Sequence, residues 1–311
     1  MQQLTGDYPA ATATLARALA LYDDAGDLAG QAKVLNQLGF VHVLTGDYPA
    51  AAASEQQALA LARSASDRLI EAAALNDLGV VQHLTGDYPA ATASQQQSLA
   101  LFRDLGNLPG QAFALTELGV VQHETGDHAA AAASQRQALT LFADSGNRLG
   151  QAQALNDLGL VQQQTGDYAA AASHQQALAL FADLGNRLGQ AEALNRLGEL
   201  ATRTADTSQA RKHYTQALAI ARDLSAAPEE ARALEGLGHS HLQDGHPGQA
   251  AAHLQQALTI YQRIGAPAAR RVQQTIQNHG LTSTTPEPQQ AAPRSEDHQP
   301  RTPAAPQEAG R

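Results

Sequence analysis

The sequence contains no cysteine and no tryptophan, and aromatic residues make up only 4% of its 311 positions. Without cysteine the chain forms no disulfide, thiolate metal site or iron–sulfur cluster, and it has no cysteine nucleophile. Because aromatics are scarce, the 43% hydrophobic content consists mostly of alanine and leucine. That composition is typical of closely packed helices, since strands are enriched in β-branched and aromatic residues.

Basic residues are outnumbered, with 20 Lys and Arg against 30 Asp and Glu, which gives a formal net charge of −10. A nucleic-acid-binding domain carries a basic surface, so we expect no nucleic-acid partner. The sequence has no run of 18 apolar residues, and its first residues lack the basic and apolar regions of a signal peptide. We therefore expect no membrane association and a cytoplasmic location.

A tandem repeat with a spacing of 40 residues runs through most of the chain. The tetrapeptide Thr-Gly-Asp-Tyr, with His replacing Tyr in one copy, begins at Thr5, Thr45, Thr85, Thr125 and Thr165. Two other segments keep fixed offsets from it: Ala-Leu-Asn-x-Leu-Gly-x-Val, as at 74–81, and Gln-Ala-Leu-x-Leu-Phe, as at 137–142. Three segments at constant spacing indicate tandem duplication rather than biased composition.

Each repeat unit is predicted to form two helices. Leu75, Leu78 and Val81 lie at i, i+3 and i+6, which places them on one face of a first helix. Glycine in Thr-Gly-Asp ends that helix and aspartate caps the next one. The second helix is predicted to stop at Gly26, Gly106, Gly146, Gly185 and Gly265, with Ser66 and Ser225 as departures. The residues that follow are predicted N-caps: Asp27, Asp67, Asn107, Asn147 and Asn186.

These residues resemble the tetratricopeptide repeat. In the third unit Leu75, Leu78, Gly79, Tyr88 and Ala91 stand at the positions of that motif. The extra Gly-Asn-Arg-Leu-Gly-Gln segment makes the unit similar to the longer variant in kinesin light chains and G-protein-signalling modulators. The final unit is similar to the C-terminal arrays of actinobacterial NB-ARC and SARP-type regulators. The resemblance covers roughly residues 1–265 and implies an all-α, right-handed α-solenoid of about seven tetratricopeptide helix-turn-helix units.

The sequence also predicts how the chain is divided. The repeat array is expected over 1–280, with an incomplete first unit and a capping helix at 266–279. The Pro-rich stretch 281–311 has almost no large apolar residue, so we expect it to be a disordered tail. The fifth unit is one residue shorter than the others, and we expect the loss at the start of its second helix.

The first unit lacks most of its first helix. Met1 falls in the column of Val41, Val81, Val121 and Val161, which is what a GTG codon read as an initiator would give. Two Lys against 18 Arg, with abundant Ala, indicate a GC-rich bacterial genome, in line with the actinobacterial resemblance. We therefore expect the C-terminal part, or a remnant, of a longer reading frame; the alternative is a short protein whose first unit is frayed.

No catalytic motif is found. Phosphate-binding Gly-x-x-x-x-Gly-Lys, Gly-x-Ser-x-Gly and His-Glu-x-x-His are all absent, so we expect neither an enzyme nor a cofactor or small-molecule substrate. His83 and His123 are equivalent positions of successive units, and His239 and His241 point in different directions on one helix. We interpret them as polar positions copied by duplication rather than as metal ligands.

By the resemblance, the first helices line a concave groove. The candidate groove residues form an amide column, an apolar column and a His/Gln column: Asn36, Asn76, Thr116, Asn156 and Asn195; Phe40, Val80, Val120 and Leu160; His83, His123 and Gln163. A side-chain amide both donates and accepts, so a row of them can hydrogen-bond an extended peptide backbone, as the kinesin-light-chain family does. The alternative is that these Asn satisfy local backbone groups or each other.

The resemblance thus predicts a non-enzymatic protein-interaction scaffold that binds a peptide or protein segment in its groove. No Lys/Arg pair stands in the three columns, so a clamp for a C-terminal carboxylate is not expected. The alternative prediction is the C-terminal sensor or regulatory array of a truncated multidomain bacterial transcriptional regulator or NB-ARC ATPase.

Overall fold

The computed structural model describes residues 8–167 and 169–281. The predicted stub of the first helix at 1–5 lies outside the described residues, as does the predicted disordered tail 281–311 except for Leu281, which is buried against the array rather than part of a tail. Within them the chain forms fourteen helices and no strand: α1 (Tyr8–Asp24), α2 (Leu28–Thr45), α3 (Tyr48–Ser64), α4 (Arg68–Leu84), α5 (Tyr88–Asp104), α6 (Leu108–Glu124), α7 (His128–Asp144), α8 (Arg148–Thr165), α9 (Ala170–Asp183), α10 (Arg187–Arg203), α11 (Thr207–Asp223), α12 (Ala227–Gln243), α13 (Pro247–Arg263) and α14 (Ala268–Asn278).

Helices adjacent in sequence pack against each other along the whole array. Each repeat unit pairs an even-numbered first helix with the odd-numbered second helix that follows, from α2–α3 to α12–α13. The helix α1 is the second helix of the incomplete first unit, and α14 packs on α13. The predicted all-α solenoid of helix-turn-helix units is confirmed. None of these fourteen helices is long and apolar enough to cross a bilayer.

The predicted helix ends are confirmed by their hydrogen bonds. The Asp27 carboxylate accepts from the backbone N–H of Gly30 at 2.9 Å, and the Asn107 amide oxygen accepts from Gly110 at 2.9 Å. The residues that end the second helices adopt the left-handed conformation, and Ser66 does so without being glycine, with φ of 56°. Local chemistry at fixed offsets therefore sets most turns of the repeat, although the N-cap residues Ala169, Ala226 and His246 make no side-chain capping bond.

Packing between units depends on a size match between two positions eight residues apart. Where a second helix carries a large aromatic, the next first helix carries glycine: a Cβ on Gly189 would overlap the ring of Phe181, which is 1% exposed. Where the second helix carries Ala62, the partner is Ile70, and both are buried in one cluster. Filling the same space in two ways keeps the core dense.

The shortened fifth unit differs at the expected place. The helix α9 has 14 residues, against 17 for α7, and its N-cap residue Ala169 makes no side-chain capping bond. The Asp167 carboxylate instead accepts from the N–H of Ala169 at 2.9 Å. The prediction that the missing residue shortens the start of this second helix is confirmed.

Candidate functional site

The inner face of the solenoid is formed by the first helices. Each even-numbered helix from α2 to α12 contacts the next even-numbered one as well as its sequence neighbours. Among the described residues the odd-numbered helices have no comparable contacts with each other. In a curved stack, the helices that approach one another most closely lie on the concave side, so α2, α4, α6, α8, α10 and α12 line the groove.

The amide column enters this groove only in its first members. Asn36 donates from Nδ2 to Glu55 Oε2 at 2.8 Å and to Asp77 Oδ2 at 2.7 Å. Asn76 donates to Asp77 Oδ1 at 3.1 Å, while its own Oδ1 is buried without a hydrogen-bond partner. Thr116 bonds back to the carbonyl of Ala112 in its own helix. These side chains are partly exposed, but they already bond within the protein.

Two members of the amide column are buried, which corrects the expectation that they present free amides to a peptide. Asn156 is 9% exposed, and its Oδ1 lies 3.0 Å from His174 Nδ1. Asn195 is 1% exposed and donates to the side chain and the carbonyl of Glu229 at 2.8 and 3.2 Å. Burial lowers the pKa of His174 to about 4, so its ring is neutral at pH 7. Both amides bond within the protein, but to His174 and Glu229 of neighbouring helices rather than to local backbone groups or to each other.

The apolar column is accessible along the groove. Phe40 is 49% exposed, and Val80, Val120 and Leu160 are partly exposed. Sequence reasoning missed Phe113, which is 45% exposed and packs edge-on against the buried Phe142, with ring centroids 5.1 Å apart. Its signal was weak, because the equivalent residues in the neighbouring units are Ala73 and Gln153.

The third column divides in the same way. His83 and His123 are half-buried, and their rings lie 5.9 Å from Tyr88 and 5.1 Å from His128. Burial, followed by the charge of His128, lowers the pKa of His123. Gln163 is only 2% exposed, so its amide is not available to a ligand in the groove.

A column of carboxylates that sequence reasoning overlooked follows directly after the amide column. It consists of Asp77, Glu117 and Asp157, at the same 40-residue spacing. Burial, with neighbouring carboxylates adding to it, raises the pKa of Glu117 to about 7. Burial also raises the pKa of Asp157 to about 6, and it raises the pKa of Asp77. The repeat itself contains the signal, because each carboxylate directly follows a member of the amide column.

Farther along the groove the charge changes sign. The position equivalent to these carboxylates is Arg196 in α10, and Arg232 and Arg271 lie nearby. They line a cavity of about 650 Å³ between α10, α12 and α14, together with the carboxylates Glu199 and Glu235. The groove is therefore acidic in its first half and of mixed charge in its second. No group of three His, Asp or Glu within residues 8–167 and 169–281 is placed to hold a metal ion.

Comparisons with known proteins agree with this geometry. A family model described as Tetratricopeptide repeat matches residues 1–64, 70–144, 112–176, 151–223 and 191–263. No curated protein sequence matches the chain significantly.

Three solved structures illustrate the likeness in fold. BtubC (BKLC) from P. vanneervenii is 19% identical with a TM-score of 0.59, and the match covers 80% of this chain and 97% of that one. The Rap conjugation gene regulator of plasmid pLS20, solved with the Phr* peptide, is 14% identical with a TM-score of 0.65, covering 88% and 72%. The STAND protein with a tetratricopeptide repeat sensor from Pyrococcus horikoshii is 12% identical with a TM-score of 0.65, covering 78% and 37%.

Proposed function

Since the chain belongs to the tetratricopeptide-repeat family, we propose that it is a non-catalytic scaffold that binds a peptide or protein segment along its concave face. The observation that carries this proposal is the row of accessible apolar side chains on the inner helices. Phe40, Val80, Phe113 and Val120 follow one another along three successive first helices, beside the carboxylate column. Apolar contacts flanked by a few polar groups are what a groove needs to hold an extended segment.

A protein with this fold can bind a peptide. The Rap structure holds a peptide, and its fold matches most of this chain. Of the predicted amide column, Asn36 and Asn76 keep a place in the proposal because both side chains are partly exposed. Asn156 and Asn195 instead connect α8 to α9 and α10 to α12, and the buried Gln163 has no part in ligand binding.

The proposal is tested with a random peptide library displayed on phage and selected against the full chain. We expect the selected peptides to lose binding to Phe113→Ser, because that ring supplies exposed apolar surface in the groove. Leu149→Ser is the matched control: Leu149 is 42% exposed, close to the 45% of Phe113, but lies in the first turn of α8. Peptides that bind both variants as tightly as the parent protein would contradict binding in the groove.

The alternative, a sensor array of a larger regulator, stays a prediction. The STAND protein is similar to this chain in fold, and the match covers only 37% of that protein. Translation of the DNA upstream of Met1 tests it: an in-frame P-loop or winged-helix sequence supports the regulator, and an immediate stop codon opposes it.

A further inference from the structure

One cavity in the first half of the groove combines buried acid with exposed aromatic surface. It has a volume of about 400 Å³ and lies between α2, α4 and α6 over the floor formed by α3 and α5. We call it the acidic pocket and define it by Phe40, Glu55, Asp77, Phe113 and Glu117, which all line it. Its volume lies within the range of ordinary ligand sites.

Glu55, at the bottom of the acidic pocket, carries a buried carboxyl group whose Oε1 packs over Gly39 of α2. The side chain is 0% exposed; Oε2 accepts from Asn36, whereas Oε1 has no hydrogen-bond partner among the described residues. The equivalent residues of the next two units are Gln95 and Gln135, whose Nε2 groups donate to backbone carbonyls of Asn76 and Thr116. Gln95 Oε1 and Gln135 Oε1 are also buried without a partner among the described residues, so the second unit differs in carrying an acid at this position rather than in leaving an acceptor unbonded.

The acidic pocket is lined by three carboxyl groups and by no Lys, Arg or His side chain. None of the ion pairs among the described residues includes Glu55, Asp77 or Glu117. Burial and the charge of Asp77 raise the pKa of Glu55 to about 9, and burial with Asp157 and Asp77 raises that of Glu117 to about 7. Acids held in this way are stabilised by an added positive charge.

The other residues that line the acidic pocket indicate which kind of cation it would accept. The three acids belong to three helices and are not placed to hold a metal ion. The exposed rings of Phe40 and Phe113 offer faces on which a planar cation stacks, and Val43 and Val80 offer apolar contact to an aliphatic stem. A guanidinium has both a flat face and five donors that can reach several carboxylates at once, which an ammonium lacks.

We propose that the acidic pocket receives the arginine side chain of a peptide bound in the groove. This inference rests on the proposed function and specifies its ligand: a segment with an arginine anchor, flanked by residues that contact the apolar column. The guanidinium donates to Asp77 and Glu117 while it stacks against the phenylalanine rings, and the Glu55 carboxyl group beneath them adds negative charge when it ionises.

The test uses four pools of fluorescent heptapeptides that are random except at the central position, which is fixed as arginine, citrulline, lysine or glutamate. Citrulline keeps the shape of arginine but carries no charge. Binding of each pool to the full chain is measured by fluorescence anisotropy. We expect the arginine pool to bind about ten-fold more tightly than the citrulline pool, the effect of hydrogen bonds to charged groups. We expect the lysine pool to fall between them.

Variants locate the effect. Asp77→Asn and Glu117→Gln should each reduce the preference for arginine over citrulline by about five-fold or more. Glu199→Gln is the matched control, because Glu199 is a carboxylate in the second half of the same groove, and it should leave the preference unchanged. Thermal melts of all variants show whether each is folded; removing an unpaired buried charge is not expected to unfold the array.

Proton release gives a second readout. A cation favours the ionised form of Glu55, Asp77 and Glu117, so binding of the arginine pool at pH 7 should release protons. The binding enthalpy should then vary with the ionisation enthalpy of the buffer, and less so in Glu117→Gln. Asp157 in α8 also raises the pKa of Glu117. The Asp157→Asn variant shows how much Asp157 contributes to the proton release.

The outcomes separate this inference from the proposed function. If all pools bind equally and Phe113→Ser abolishes binding, the groove binds peptides but the arginine anchor is wrong. A preference for arginine that survives both Asp77→Asn and Glu117→Gln, or that involves no proton release, also overturns the inference. If no pool binds at all, the proposed function fails and this inference fails with it.

Discussion

At the scale of single residues, the space between neighbouring units is filled by one of two kinds of residue pair. The pair Phe181 and Gly189 fills the same space as the pair Ala62 and Ile70 elsewhere in the array. We expect Phe181→Ala to cost about 3–5 kcal/mol by leaving a cavity, and Gly189→Ile to destabilise by overpacking against the ring. The double variant should be more stable than the sum of the two single effects predicts, by about 0.5–3 kcal/mol, as is typical of residues in contact.

Urea denaturation of the two single variants and the double variant measures this coupling. The exposed Leu188→Ala, next to Gly189 in sequence, serves as a control and should change stability by no more than about 0.5 kcal/mol. Strictly additive effects of Phe181→Ala and Gly189→Ile would show that the two side chains do not share one space.

The same scale explains what the sequence could and could not predict. Helix ends followed from Asp27 or Asn107 because a cap depends on a backbone N–H three residues away. The environment of Asn195 could not be predicted from the repeat, because it depends on Glu229, which lies 34 residues farther along the chain. The residue equivalent to Glu229 between the second and third units is Ile70. The repeat predicted which residues share a column, but the partner opposite each of them changes from unit to unit.

At the scale of one element, helix α14 is held to the array by a buried carboxylate and by apolar contacts. Glu235 in α12 accepts from Arg271 at 3.1 and 2.9 Å and from the Tyr261 hydroxyl at 3.0 Å. Val272 and Ile276 of α14 are buried as well. Burial opposes ionisation of Glu235, but the nearby His239, the hydrogen bonds from Arg271 and Tyr261 and the charge of Arg271 outweigh it and lower the pKa. Ionised Glu235 therefore contributes to holding α14, the helix predicted to cap the array.

We expect Arg271→Ala to loosen α14 and leave the distant units unchanged. Amide hydrogen exchange in α14 should become about ten-fold faster or more, since a hydrogen bond to a charged group contributes about 1.5–3 kcal/mol. Arg270→Ala, the exposed neighbour, is the control and should have little effect. Because the folded-state pKa of Glu235 lies below its ordinary value, its contribution is present at neutral pH and is lost as the pH falls through that lowered pKa. Equal exchange rates in the two variants would contradict the role of Arg271.

At the scale of the whole molecule, stability is distributed along the array rather than held in one core. The buried apolar residues form separate clusters. The cluster in the last units extends from Leu194 to Leu281. The second to fourth units contribute smaller clusters. Each helix contacts only its near neighbours along the chain. In such a solenoid, stability is the sum of unit and interface contributions, so a weakened middle unit can uncouple the two ends.

The last prediction follows from that uncoupling. Leu118 lies in α6 and is 6% exposed, so Leu118→Ala should cost about 2–5 kcal/mol. We expect urea unfolding of this variant to separate into two steps, with α2–α7 losing amide protection before α10–α13, because the largest buried cluster lies at the C-terminal end.

Leu84→Ala is the control: this residue is 42% exposed, and its loss should cost less than about 0.5 kcal/mol and keep the parent transition. Hydrogen exchange followed by mass spectrometry across the urea series resolves the helices individually. Simultaneous loss of protection in α2–α7 and α10–α13 of the Leu118→Ala variant would show that the ends remain coupled through contacts stronger than those between neighbouring units.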